Sequence, residues 1–338
     1  MAGMTFTEGS GLQNSVFGKS QEPIKLFLEK RGESWQQKSM LEEIFCMETS
    51  NNYGEKLTTM TGMNGFKPVG ESGETPRDMM QEGFSKFLEH ITWKNGFVIS
   101  HEMIADSKLM DLRQRPQGFI DAYYRTRERY GAALLGGAIA GKSAINFEGW
   151  NCDLTTADKK VLFAKDHGSV IKDNKKVQSN QFADTFSVDA LSAMEAAMQD
   201  FRGDNDEILD VVPYTIVIGN DWKLKKDVFA AIGADKDPNS ANNGFNFQFG
   251  RWNVIVWPEL NRYITKGTAP WILMSSQYNK DYRGALWLDR EELAVNSFID
   301  QNTHDNVWSG IARFVAGFND WRAFAVGGVT GGTQLITG

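Results

Sequence analysis

Gly136-Gly137-Ala138-Ile139-Ala140-Gly141-Lys142-Ser143 fits GxxxxGKS. In that pattern backbone N–H groups cradle phosphates, the lysine neutralises them and the hydroxyl holds Mg²⁺. The chemistry needs a buried strand before the loop and a helix after it. Here Tyr124 to Tyr130 is charged and helical in character, and Ala144 to Gly149 is too short for a helix. The acidic Mg²⁺ partner such a site needs is poorly supported: Leu286-Trp287-Leu288-Asp289 is one apolar run ending in Asp, and it lies far downstream. A P-loop NTPase using Gly136–Ser143 is one reading. The other is the frayed end of a long helix, where small residues permit close packing and glycine stops the turn.

The remaining candidates are weaker. His90, His101, His167 and His304 form neither HxxxH nor HExxH, and Cys46 and Cys152 stand outside any Cys/His cluster. Neither a metal nor a cofactor is expected. Asp166-His167-Gly168 fits a turn, with Gly168 at positive φ and His167 bonding locally. No GxSxG elbow supports a serine nucleophile. Asp204-Asn205-Asp206-Glu207 lacks calcium-loop spacing and fits a solvated turn. Trp252, Trp257, Trp271, Trp287, Trp308 and Trp321 sit in strand-like runs, where core or interface burial is the default. No catalytic residue is expected.

The elements around these residues come from periodicity. Met40, Leu41, Ile44 and Phe45 predict a helix over 34–47, flanked by polar coil, and hence an arm that needs a surface to lie on. Strands are predicted over Thr58–Met63 and Phe84–Trp93. Between them Phe66 to Arg77 is rich in Gly, Pro and charge, which fits either a long projecting hairpin or a disordered surface loop. Ser100 caps a short helix through Leu109 and Leu112, and Pro116 opens a second of about 20 residues, roughly 30 Å long. Its apolar face is Phe119, Ile120, Tyr123, Tyr130 and Leu134, and its charged face Arg125, Arg127, Glu128 and Arg129. Further strands are expected at 161–164, 212–218, 252–257, 271–274 and 285–288, with helices after Ser187 and Asp221. At the end, Val307, Ile311 and Val315 share one face, and a turn at Asn319-Asp320 makes a hairpin with Phe324 and Val326.

With 338 residues, 41% of them hydrophobic, the chain can fill one large core or two ordinary ones. A net charge of −7 argues against tight wrapping of nucleic acid. Cysteine usage suits a reducing compartment, no apolar run reaches membrane-spanning length, and no signal peptide is visible, so a soluble, intracellular product is expected.

The order of parts resembles the major capsid proteins of tailed double-stranded DNA bacteriophages, the Hong Kong 97-type fold. Phe97-Val98-Ile99-Ser100-His101-Glu102-Met103-Ile104 resembles the passage from that family's extended loop into its spine helix. Leu162-Phe163-Ala164-Lys165-Asp166-His167-Gly168 is similar to a short signature of Mu-type head subunits. Pro213 to Ile218 and Asn253 to Pro258 resemble paired strands of the axial domain, and Arg313-Phe314 through Asp320-Trp321-Arg322 the last strands.

The resemblance implies an α+β fold in four parts: N-terminal arm 1–53, extended β-hairpin loop 54–96, peripheral domain 97–183 plus 300–338 with the spine helix, and axial domain 184–299. It implies a subunit that self-assembles, as hexamers and pentamers, into the icosahedral head, without catalysis. Implied partners are a portal, possible scaffold or decoration proteins, and packaged double-stranded DNA met without sequence specificity; no membrane is implied. The expected location is the virion, after assembly in the host cytoplasm. A long N-terminal scaffolding extension is not expected. Glu71, Glu74 and Arg77 would pair across subunits and set register. An encapsulin-like compartment shell is an alternative with the same fold. The physical expectation is that arm, hairpin and one spine face stay poorly covered in a monomer, and that neighbours cover them at about 25 cal/mol per Å² of apolar area.

Overall fold

The computed structural model describes residues 5–7, 28–35, 38–105, 109–171, 176–233, 246–265 and 267–336. The chain begins with strand β1 (Thr5–Thr7), a helix over 28–35 (α1), the single turn α2 (Leu41–Ile44) and strand β2 (Cys46–Thr49). β3 (Gly54–Met60) and β4 (Glu82–Glu89) form the long hairpin, and β5 (Ile91–Ile99) follows after one residue, His90. Next come α3 (His101–Ala105), α4 (Leu109–Ile139), the small hairpin β6 (Ala144–Phe147) and β7 (Trp150–Asp153), and α5 (Val188–Gln199). β8 (Thr215–Ile218), α6 (Trp222–Gly233), β9 (Asn253–Val256), β10 (Trp271–Met274) and α7 (Ser276–Tyr282) lead to β11 (Ala285–Ile299), β12 (Asn306–Phe318) and β13 (Phe324–Gly327).

Two sheets organise these elements. The first runs β1-β11-β12-β5, with β2 also on the β11 edge; β11, β12 and β5 are antiparallel, while β1 and β2 lie parallel to β11. The second runs β13-β10-β8-β9, and only its β8–β9 pair is parallel. β10 and β8 are buried on both faces, which explains their unbroken apolar runs Trp271–Met274 and Thr215–Ile218. The architecture is α+β, as expected.

Several elements differ from the sequence expectation. The helix over 34–47 is instead α1, a turn, α2 and β2: β2 finds backbone partners on β11, and tertiary pairing overrides helical period. The extended hairpin is present, but β3 ends at Met60, and β4 and β5 are separate strands that part at His90. Residues Val161–Ala164 form no strand; Val161 makes one isolated bridge to Thr155. α4 starts before Pro116 and is 31 residues long, about 46 Å. Ser100 does cap a helix, through Met103 N at 3.3 Å, although Leu109 and Leu112 belong to α4.

The closing hairpin is corrected too. β12 turns Trp308, Gly310, Ala312 and Phe314 to the core, leaving Val307 and Ile311 half-buried on the other face. Its hairpin partner is β11, which extends well beyond Leu288. After Asn319-Asp320 the chain crosses to the other sheet, where β13 pairs with β10.

The core lies between α4 and the first sheet. Trp93 stacks on Phe314 at 5.0 Å and Phe314 on Trp287 at 5.2 Å, with Tyr130 reaching Trp287 edge-on. The last turns of α4 are buried at every position from Tyr130 through Ile139. The C-terminal third of the spine is therefore covered within one chain, while Gln114, Arg115, Gly118 and Arg125 nearer its start are exposed.

Candidate functional site

Gly136 and Gly137 lie inside α4, not in a loop after a strand. The N–H groups of Ala140, Gly141 and Lys142 donate to the carbonyls of Gly136, Ala138 and Gly137. Gly141 at φ +69° closes the helix in a left-handed cap. A helix C-terminus presents carbonyls and partial negative charge, the reverse of a phosphate cradle. Gly137 is small because a Cβ would meet Leu154 at 2.6 Å. The P-loop reading is overturned, and the end is capped rather than frayed.

His167 is fully buried, bonds Asp158 at 2.7 Å and stacks on Trp321 at 4.3 Å. Burial pushes the Asp158 carboxyl up, but His167, Thr156 and the Lys160 N–H outweigh it and hold it below its usual range. Gly168 does not adopt positive φ, so the expected local turn is a long-range tie. The Asp204–Glu207 turn is likewise more than solvated: Arg322 lies between Asp204 and Asp320, and Asp206 pairs with Lys176 at 2.5 Å. Trp257, Trp271, Trp287, Trp308 and Trp321 are core residues, and Trp252 is half-buried. Among the described residues no cluster of three or more His, Cys, Asp or Glu side chains could hold a metal, and no helix is long and apolar enough to cross a membrane.

The feature that stands out is the β3–β4 hairpin. Beyond the Thr61 N–H to Gln81 carbonyl bond, residues 62–82 are exposed throughout. Glu71, Glu74 and Arg77 lie here, exposed and without an ion pair among the described residues. Alongside them Met63, Phe66, Val69, Met79 and Met80 are exposed, each by 48% or more, with Met60 where the strand ends. Large apolar side chains are thus gathered on one exposed projection, a composition a purely solvated tip does not need. Local bonds shape it: Asn64 N–H to Asp78 at 2.6 Å, and Gly73 N–H to the Gly70 carbonyl at 2.9 Å.

The hairpin's root is firmly held. Leu57 and Leu88 are buried, and Leu88 fills the space over Gly317, where a Cβ would come within 2.6 Å. Lys86 is 6% exposed, donates to the Thr155 carbonyl and lies 3.3 Å from Asp153, which ties β4 to the β6–β7 hairpin. Burial pushes the Lys86 ammonium below its usual pKa despite that carboxylate.

Beside the root, Arg127 and Glu128, expected on a charged outer face, are buried. Arg127 makes a two-pronged pair with Asp289 at 2.7 and 3.0 Å and lies 4.7 Å over Trp287. Glu128 accepts from Ser39 at 2.6 Å, Met40 N–H at 3.1 Å and Trp257 at 3.1 Å, and burial pushes its carboxyl up. The described part of the arm from Leu28 onward finds its surface inside the chain: Leu28, Leu41 and Ile44 are buried, and Arg31 and Trp35 both reach Asp121. Sequence reasoning missed Lys86, Arg127, Glu128 and Asp289, whose partners are distant in the chain. The methionines flanking the tip were a signal it could have used.

The family described as phage capsid protein has a sequence profile that matches residues 85–327. Among solved structures, one from Mycobacterium phage Patience aligns over 99% of this chain and 96% of its own, at 11% identity and a TM-score of 0.50. The procapsid of bacteriophage JBD30 aligns over 90% and 73%, at 12% identity and 0.48. A virus-like particle from Pyrococcus furiosus aligns over 90% and 97%, at 9% and 0.46. At such identities the likeness is one of fold. No curated protein matches the sequence.

Proposed function

The chain belongs to the phage capsid protein family, and we propose that it builds the icosahedral head of a tailed double-stranded DNA phage by laying its hairpin across a neighbouring copy. It is a major capsid protein of the Hong Kong 97-type fold, a structural component of the virion that assembles with copies of itself. Hexamers and pentamers, a portal, scaffold or decoration proteins, and DNA met without sequence specificity complete the proposal, with assembly in the host cytoplasm. No catalytic role is proposed.

One observation carries the role given to the hairpin: a projection with a buried root that gathers exposed Phe66, Val69, Met79 and Met80 at its tip. Glu71, Glu74 and Arg77 are proposed to set register on the neighbour, a use suited to exposed charges that add little affinity. The four-part division (1–53, 54–96, 97–183 plus 300–338, 184–299) is proposed as well; sheet pairing favours grouping β11 with the peripheral part and β13 with the axial sheet.

Electron microscopy of the overexpressed protein tests the proposal. Closed shells, tubes or capsomers are expected; a monodisperse monomer at high concentration would overturn it. DNA-free shells loaded with a host enzyme would favour the encapsulin-like alternative.

A further inference from the structure

His90 is the single residue between β4, which pairs with β3, and β5, which pairs with β12. The hairpin leaves the body at this residue. Its side chain is 5% exposed, and neither Nδ1 nor Nε2 makes a hydrogen bond. A buried imidazole with both nitrogens unpartnered is costly and calls for an explanation.

The groups that face the ring come from three strands. Arg290 on β11 and Arg313 on β12 are cations, and Glu55 on β3 and Asp289 on β11 are anions. Both carboxylates are already engaged. Glu55 accepts from Ser50 at 2.6 Å and Asn52 at 2.8 Å, and Asp289 is held by Arg127. Next to it in the chain, at the end of β4, Glu89 accepts from the Tyr53 hydroxyl. Arg290 donates to the Asn52 carbonyl, and Arg313 lies 3.6 Å from Glu291. No uncommitted acid is left to take an imidazolium, while two cations oppose one.

We propose that His90 is a proton-sensitive latch: the neutral ring lets the hairpin's root stay docked, and a second proton on the ring releases it. The idea rests on the hairpin being the contact between copies, and it adds a control over where that contact points. Burial, then Arg290 and Arg313, push the His90 pKa below its ordinary value. The docked root therefore binds fewer protons than the released one. Its advantage is full above the ordinary histidine value of about 6.5 and is lost as pH falls through the docked value.

Amide hydrogen exchange on the dilute, unassembled chain reads the latch directly. Corrected for intrinsic rates, protection of the β3–β4 root amides should fall about five- to tenfold between pH 7.5 and 5.5 where the two pKa values lie a unit or more apart, because pH 5.5 is one unit below the ordinary histidine value. Protection in β8 and β10 should stay constant. His90→Phe should abolish the drop, and Arg290→Gln, at a half-exposed site that folding tolerates, should reduce it. No drop in the parent chain, or the same drop in either variant, overturns the proposal. Shell formation is scored separately at pH 7.5. Shells without a pH effect sink only the latch, and a pH effect without shells sinks only the role of the hairpin.

Discussion

Residues 28–49 and residues 54–89 both look like appendages in the sequence, yet the chain treats them in opposite ways. The first segment is docked on α4 through Asp121 and Glu128, and its apolar side chains Leu28, Leu41, Ile44 and Phe45 are buried. The second is anchored at its root by Lys86, Leu57 and Leu88 and leaves its apolar tip in solvent. Poor cover in the sequence pattern therefore does not identify a contact between copies. A segment is shown to need a partner only after the chain's own surfaces have been tried.

The comparison is tested most strongly by removing the tip. Deleting residues 66–77 should abolish shells in electron micrographs while changing the unfolding free energy by less than about 1 kcal/mol, because loop length enters stability only logarithmically. Normal shells from the deletion would erase the distinction between the segments. On the docked side, Arg127→Met leaves Asp289 buried and unpaired and should cost about 3–5 kcal/mol in denaturant unfolding. The double variant Arg127→Met/Asp289→Leu should recover most of that loss.

A smaller pair sets one carboxylate from each segment's surroundings side by side. Asp121→Asn weakens the bonds from Arg31 and Trp35 and should cost about 1–2 kcal/mol, whereas Glu71→Lys should leave stability unchanged and alter only the salt dependence of assembly. The pH dependence has a definite sign. The Arg31 hydrogen bond holds Asp121 below its ordinary value of 3.8. Its stabilisation is complete above that value and lost as pH falls through the docked one. Fluorescence of Trp35, half-buried against Tyr124, would report this undocking, and an Asp121→Asn chain should show none of it.

Helix caps and one fully buried run were legible because their chemistry is local, although the strand expected at 161–164 is absent. Ser187 and Asp221 cap α5 and α6, and Trp271–Met274 is a strand to the residue. What escaped was set by distant partners. β2 is extended because β11 accepts it, β11 is long because β12 lies beside it, and Arg127 is buried because Asp289, 162 residues away, neutralises it. The tip of the hairpin was legible as a projection through Gly, Pro and charge. Its stickiness was carried by methionines on either side of the tip, a signal of composition that a search for periodicity passes over.

The pairing of β5 with β12 joins Ile91 to Phe314, more than two hundred positions apart. A ribosome must therefore release β12 before the hairpin's root can be fixed, and connections of that length close late. If the hairpin is the contact proposed above, a half-made subunit has none correctly aimed to offer a finished one, and polymerisation waits for complete molecules.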